Sequence, residues 1–181
     1  MPTAGTSTKS DERRRAIVAA AIECFARKGF YGTATHEIAD RVGISQPYLY
    51  RLYANKQALF AAAVDHVSVV MTETLTAHAP TSGEPLAPEA ALQAARDGYA
   101  ALVADRTILR FLMHANCAAG EPLVGQAVRG CYAKQVATVR QLLGDDDAVR
   151  NWFGAGMLDN VVAVLGLADI DEPWAHVLTA Q

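Results

Sequence analysis

Residues 35–56, "THEIADRVGISQPYLYRLYANK", hold two short helical patterns on either side of a single glycine. Ile38, Ala39 and Val42 recur at helical spacing and Gly43 interrupts them. Ser45 is suited to cap the next helix, and Pro47 falls in that helix's first turn, where a missing N–H costs nothing. "YANK" then makes a second turn. Two short helices joined by a glycine turn read as a helix-turn-helix.

The flanks read as helices too. Ser10 can cap a first helix whose opening turn carries Asp11 and Glu12, signs that suit the helix dipole. Ile17, Ala21, Cys24 and Phe25 form its inward stripe, and Gly29 ends it. A fourth helix is predicted from Gln57 to His78, with Phe60, Val64, Val67, Met71 and Leu75 inward. "HAPTSGEPLAPE" then carries three prolines and a glycine and reads as a linker. Beyond it, Leu92, Ala95, Tyr99 and Leu102 define a fifth helix; a sixth is expected over 107–118, a seventh over 122–143, an eighth to Leu167 and a ninth from Pro173. Asp145, Asp146 and Asp147 lack the interleaved ligands of a Ca²⁺ loop and read as a helix N-terminus. No alternating strand pattern occurs. The expectation is an all-α fold of about nine helices, divided into a disordered tail (1–9), a helix-turn-helix domain (10–56) and a helical body (57–181).

Charge follows that division. Residues 1–56 hold nine Lys/Arg against five Asp/Glu, a balance of +4; residues 57–181 hold seven against fourteen, a balance of −7, and together they give the net −3. A basic first third on an acidic body points to a polyanion as partner of the first third alone. With Leu49, Leu52 and Tyr53 inward, Pro47 and Arg51 face outward, flanked by Gln46, Tyr48 and Tyr50. Glutamine can bond N6 and N7 of adenine together, and the edges of Pro47 and Tyr48 can meet thymine methyls. Tyrosine hydroxyls and Lys56 suit phosphate oxygens. Tyr53 serves equally well as an amphipathic core residue or as a phosphate contact.

"AAIECFARKGFYGTATHEIADRVGIS" followed by "LYRLYANKQALF" resembles the DNA-binding domain of TetR-family transcriptional regulators. The resemblance implies an all-helical homodimer that binds an inverted repeat in double-stranded DNA, and a C-terminal body that binds a small-molecule effector. By motif position, Gln46, Pro47 and Tyr48 would read bases, while Thr33, Tyr50 and Lys56 would hold phosphates. The chain departs from the pattern at Ala34, where a Ser or Thr would complete a capping box with Glu37, so Thr33 or Thr35 is left to cap. Tyr48 is bulkier than the small residue usual at its position.

In the body, "AVRNWFGAGMLDNVVAVLGL" is apolar on nearly every side. Val149, Trp152, Phe153, Met157 and Val164 make one face, which Leu158, Val162 and Leu165 broaden. Such a helix needs cover on two sides; a symmetry mate is the simplest second cover, with Gly154 and Gly156 permitting close approach, and a fully buried monomer helix is the alternative. Tyr99, Phe111, His114, Cys117, Trp152, Met157 and Asn160 are candidates to line an effector pocket, since they combine large or polarisable groups with a few polar handles. His114 and Cys117 alone do not make a metal site, and no cofactor is expected.

Other classes find less support. The chain has five serines and no Gly-x-Ser-x-Gly, P-loop, dinucleotide fingerprint or HExxH, so it is not read as an enzyme. A helical protein-interaction module whose basic end meets an acidic partner is the remaining alternative, as is a DNA-binding regulator without an effector. No run of about 18 uncharged apolar residues suggests a membrane span. Cys24, Cys117 and Cys131, odd in number and without CxxC spacing, fit a reducing cytoplasm.

Overall fold

The computed structural model of the protein describes residues 9–77 and 87–180. The expected tail, apart from Lys9, and most of the expected linker lie outside the described residues. The fold is all-α: α1 (Lys9–Gly32), α2 (Thr35–Val42), α3 (Gln46–Leu52), α4 (Lys56–Ala77), α5 (Pro88–Val103), α6 (Arg106–Cys117), α7 (Pro122–Leu143), α8 (Asp146–Leu165), a 3-10 turn (Leu167–Asp169) and α9 (Pro173–Thr179). The helix boundaries agree with the sequence expectation to within a residue or two, except that α1 runs to Gly32 rather than ending at Gly29; the expected end of α4 at His78 lies outside the described residues. The eighth helix is the exception in kind: Gly166, at φ 65°, stops it, and the chain finishes in the 3-10 turn.

The residues divide into two compact units. One comprises the chain up to His66 together with Phe111–Val128; the other comprises Val67–Arg110 and Arg129 onward. This division differs from a boundary at residue 56, because α4, α6 and α7 each contribute residues to both units.

The first unit is built on aromatic packing. Phe60 stands 4.6 Å from Phe25, 5.4 Å from Phe30 and 5.0 Å from Phe111, measured between ring centroids. Ile17, Ile38, Leu49 and Leu59 are buried with them. Gly29 makes the sharp bend in α1: its backbone (φ 69°, ψ −179°) is in a region open essentially to glycine alone. The helical stop expected there is real, and one further turn, through Gly32, follows it. A Cβ at Gly29 would lie 2.9 Å from Nδ1 of His114, so the bend is also a close packing point against α6.

In the second unit Leu75, Ala95, Val139, Val149 and Trp152 form a buried cluster, against which Leu92, Tyr99, Leu142, Leu143 and Phe153 pack. The aspartate run begins α8 as expected: the Asp145 carboxylate accepts the Ala148 N–H at 2.7 Å, and Asp146 pairs with Arg140 at 2.9 Å. By length and composition α4 would suffice to cross a bilayer, which the sequence reading did not anticipate. Its Leu59, Phe60, Ala63, Val64, Val67 and Leu75 are buried within the protein, the usual reason for apolarity in a core helix.

Candidate nucleic-acid interface

The turn between α2 and α3 is set by Gly43, whose left-handed backbone (φ 71°, ψ 40°) lets its N–H reach Asp40 O at 3.1 Å while Ile44 N–H reaches Ala39 O at 3.0 Å. Ser45 then caps α3, its Oγ accepting the Tyr48 N–H at 3.3 Å. Asn55 caps α4 in the same manner, its Oδ1 accepting the Ala58 N–H at 2.8 Å. These three devices fix the orientation of α3, whose Leu49 is buried while Pro47, Tyr50 and Arg51 are exposed. Gln46 and Tyr48 are half-buried on its flanks.

Thr35 organises the outward face from beneath. Its buried hydroxyl accepts from Nε2 of Gln46 at 2.8 Å and lies 2.8 Å from the Tyr50 hydroxyl. The Thr35 oxygen has two lone pairs and one proton, so it can hold the Gln46 amide and the Tyr50 hydroxyl at the same time. Around this chain, the Arg51 guanidinium sits 5.8 Å from the Tyr48 ring centroid, and the Lys56 ammonium lies 4.7 Å from that of Phe30. Burial pulls the Lys56 ammonium below its ordinary pKa, with the neighbouring Tyr50 and Glu121 opposing. Tyr53, at the C-terminal end of α3, is half-buried; burial pushes its hydroxyl pKa up, and the positive charge of nearby Arg14 opposes the shift.

Thr33 is a correction. Expected at a phosphate, it is 1% exposed, and its hydroxyl donates inward to Gly29 O at 2.8 Å, with Cys24 O at 3.2 Å. It satisfies carbonyls freed where α1 bends, so its side chain is spent inside the protein. At Ala34 only half of the capping box exists: Oε1 of Glu37 accepts the Ala34 N–H at 3.1 Å, and alanine offers nothing in return. The Lys28 ammonium beside Glu37, and then that N–H, hold the Glu37 carboxyl below its ordinary pKa.

The candidate effector residues are not one group. Tyr99, Trp152, Met157 and Asn160 belong to the second unit; Phe111, His114 and Cys117 belong to the first. Phe111 is fully buried against Phe60 and is core, His114 packs on Gly29, and Cys117 is exposed. Met157, expected on the inward face of α8, is 44% exposed; Val149, Trp152 and Gly156 take the inward positions. Of the candidate dimer residues, Gly154, Leu158 and Leu165 are exposed and Val162 is half-buried. Tyr99 donates to Gly156 O at 3.0 Å and to Oδ1 of Asn160, and its ring meets Trp152 at 5.3 Å. Burial drives its hydroxyl pKa strongly upward. Tyr99→Phe should therefore lower stability by about 1–2 kcal/mol in urea unfolding, since half-buried acceptors lose their donor.

Two contributors are invisible in a linear reading. Thr35 acts across 11 and 15 residues, and Glu121 across 90 and 64: its carboxylate accepts from the Tyr31 hydroxyl at 3.1 Å and from Nε2 of Gln57 at 2.6 Å. Gln57 Oε1 in turn accepts the Leu123 N–H at 3.3 Å. Glu121 thereby ties the turn before α7 to the end of α1 and the start of α4 within the first unit.

Three helices with a glycine-set turn and a capped, outward-facing helix bearing Gln46, Tyr50 and Arg51 define a helix-turn-helix domain. Residues 17–63 match the family model described as bacterial regulatory proteins, tetR family, and this N-terminal domain belongs to the TetR family. The transcriptional activator FasR of Mycolicibacterium smegmatis is 38% identical over 60 residues, 33% of this chain and 27% of FasR. The regulator RutR of Escherichia coli is 31% identical over 81 residues, 45% of this chain and 36% of RutR. The chain thus matches between about a quarter and just over a third of the length of these relatives. A solved structure of a transcriptional regulator from Pseudomonas aeruginosa PAO1 shares the fold, with a TM-score of 0.70 at 21% identity over 96% of this chain and 89% of that one.

Proposed function

We propose that the protein is a homodimeric transcriptional repressor that binds an inverted-repeat operator through α3 and is released by a small, mostly apolar ligand bound in its C-terminal body. The observation that carries the reading is the organised outward face of α3, where one buried threonine holds both Gln46 and Tyr50. An amide carries two N–H groups; one engages Thr35, which leaves the second and Oε1 to bond adenine N7 and N6 in one plane. Pro47 and Tyr48 lie beside it for thymine methyls, and Tyr50, Arg51 and Lys56 ring it as phosphate contacts. Family membership of residues 17–63 supports the same assignment.

The dimer rests on α8. Met157, Leu158 and Leu165 on it, and Val136 on α7, are each 40% exposed or more, an amount of apolar surface that a second copy would cover. A fatty acid metabolism regulator of Clostridium perfringens with the same fold (TM-score 0.67, 19% identity) bears on the ligand only by suggesting an apolar effector. FasR is described as an activator, which favours activation as the second reading. A promoter fusion, scored with and without the gene, separates the two. The setting expected for either is the cytoplasm.

The phosphate assignment has its own test. Lys56→Ala should weaken binding to all duplexes alike and reduce the slope of log K against log salt by about one. A changed base preference with an unchanged slope would move Lys56 out of that role.

A further inference from the structure

Among the described residues of the second unit, the buried polar side chains are Ser68, Gln135 and Thr138, and none carries a charge. Ser68 is 0% and Gln135 1% exposed, and Ser68 Oγ and Gln135 Oε1 have no hydrogen-bond partner. The neighbouring bonds explain why. Thr72 donates its hydroxyl to Ser68 O at 2.9 Å, and Nε2 of Gln135 reaches Ser68 O at 3.4 Å and Thr72 Oγ1 at 3.3 Å. The reverse orientation of the amide would set Oε1 against Ser68 O, two acceptors face to face, so Oε1 is left pointing elsewhere. Buried polar atoms in native proteins are almost always satisfied, and two orphans on facing residues of α4 and α7 are an exception that asks for a partner.

The partner's chemistry follows from what surrounds the pair. Oε1 can only accept; Ser68 Oγ can donate and accept. Every charged residue on α5, on α8, on the Val67–Ala77 part of α4 and on the Arg129–Leu143 part of α7 is exposed, so no countercharge stands inside. An ionised group would enter without compensation, at a cost far above that of a neutral one. Two turns beyond Ser68 and one turn beyond Gln135, Leu75 and Val139 belong to the apolar cluster with Trp152. We propose that Ser68 and Gln135 anchor the effector of this protein, and that the effector is an uncharged amphiphile whose polar end carries a donor and an acceptor side by side, a carboxamide or lactam, rather than a carboxylate or a phosphate. This rests on the reading of the body as an effector domain.

The test uses the full chain with straight-chain primary amides (octanamide, dodecanamide) and the carboxylates of the same lengths, by calorimetry and thermal unfolding at neutral pH. At least one amide should raise the Tm and bind at least about tenfold tighter than its carboxylate, and Ser68→Ala should remove about tenfold of that affinity. The unliganded Ser68→Ala protein should be as stable as the parent or more so, because it buries one unmatched hydroxyl fewer. Gln135→Leu should act in the same direction. Carboxylate binding equal to amide binding, parent-like affinity in Ser68→Ala, or no amide binding together with a lower Tm in Ser68→Ala (the mark of a structural water on the pair) each overturns the assignment. The effector reading fails separately: an amide that binds through Ser68 and leaves operator affinity unchanged would be a ligand without a regulatory role.

Discussion

Gly29→Ala will destabilise the protein by about 3 kcal/mol, the largest loss expected of any single methyl group added to this chain. Two costs combine at the site. The backbone there, φ 69° and ψ −179°, is one that a side chain opposes whatever the space around it. The new Cβ would also stand 2.9 Å from Nδ1 of His114, closer than real contacts come, and 3.3 Å from its Cε1, closer than most. Thr33, which donates to Gly29 O, would lose its geometry as the bend opened. Gly43→Ala is the informative comparison. Its φ is 71° but its ψ is 40°, the left-handed helical region, and nothing lies within 4 Å of the added carbon, so about 1 kcal/mol is expected there. Urea unfolding of both variants, with Gly29→Ala/His114→Ala as a third, separates the terms: truncating His114 should relieve the contact and leave the backbone cost. Equal effects at Gly29 and Gly43 would mean that α6 does not press on the bend.

Gln46→Ala should erase preference at one base pair per half-site, at about 1–3 kcal/mol each, and a two-fold dimer carries the change twice. Thr35→Val should produce the same loss of discrimination at the same position to a smaller degree, because the amide remains but its plane is no longer held. That shared position is what marks Thr35 as a positioning residue: a defect of folding alone would weaken all sequences alike. Tyr50→Phe should behave differently from both, lowering affinity uniformly, since an exposed tyrosine hydroxyl on this face is suited to a phosphate rather than to a base edge. Selection from a randomised duplex library for each variant, scored position by position, reads all three. A Thr35→Val profile identical to the parent's would break the link between the buried network and base recognition.

Much of this was legible in the sequence because it is encoded locally. Helix periods, the Gly43 turn, the Ser45 cap and the aspartates opening α8 all follow from neighbours within a turn of one another, and each stands where the pattern put it. What escaped is what long separations decide. Thr33 and Thr35 flank Ala34 and look alike on paper, yet the bend at Gly29 draws Thr33 inward to cap carbonyls while Thr35 meets α3. Phe111 and Met157 have the composition of pocket walls; packing assigns the first to the aromatic core and turns the second outward. Glu121 carries no local signal, since its partners Tyr31 and Gln57 lie in the first third of the chain. The orphaned pair at Ser68 and Gln135 is equally silent, for a serine and a glutamine on two amphipathic helices are ordinary until both prove to be buried.

The central claim, that a dimer of this chain recognises DNA through paired copies of α3, is tested most directly by selecting duplexes on the full-length protein from a random pool and then measuring the winner against a scrambled duplex of equal composition. The account predicts an inverted repeat with half-sites about 34–36 Å apart along one face, one dimer bound per duplex, and a preference over the scrambled duplex of about a thousandfold or more. Recovery of no shared sequence, or equal affinity for the two duplexes, would contradict it.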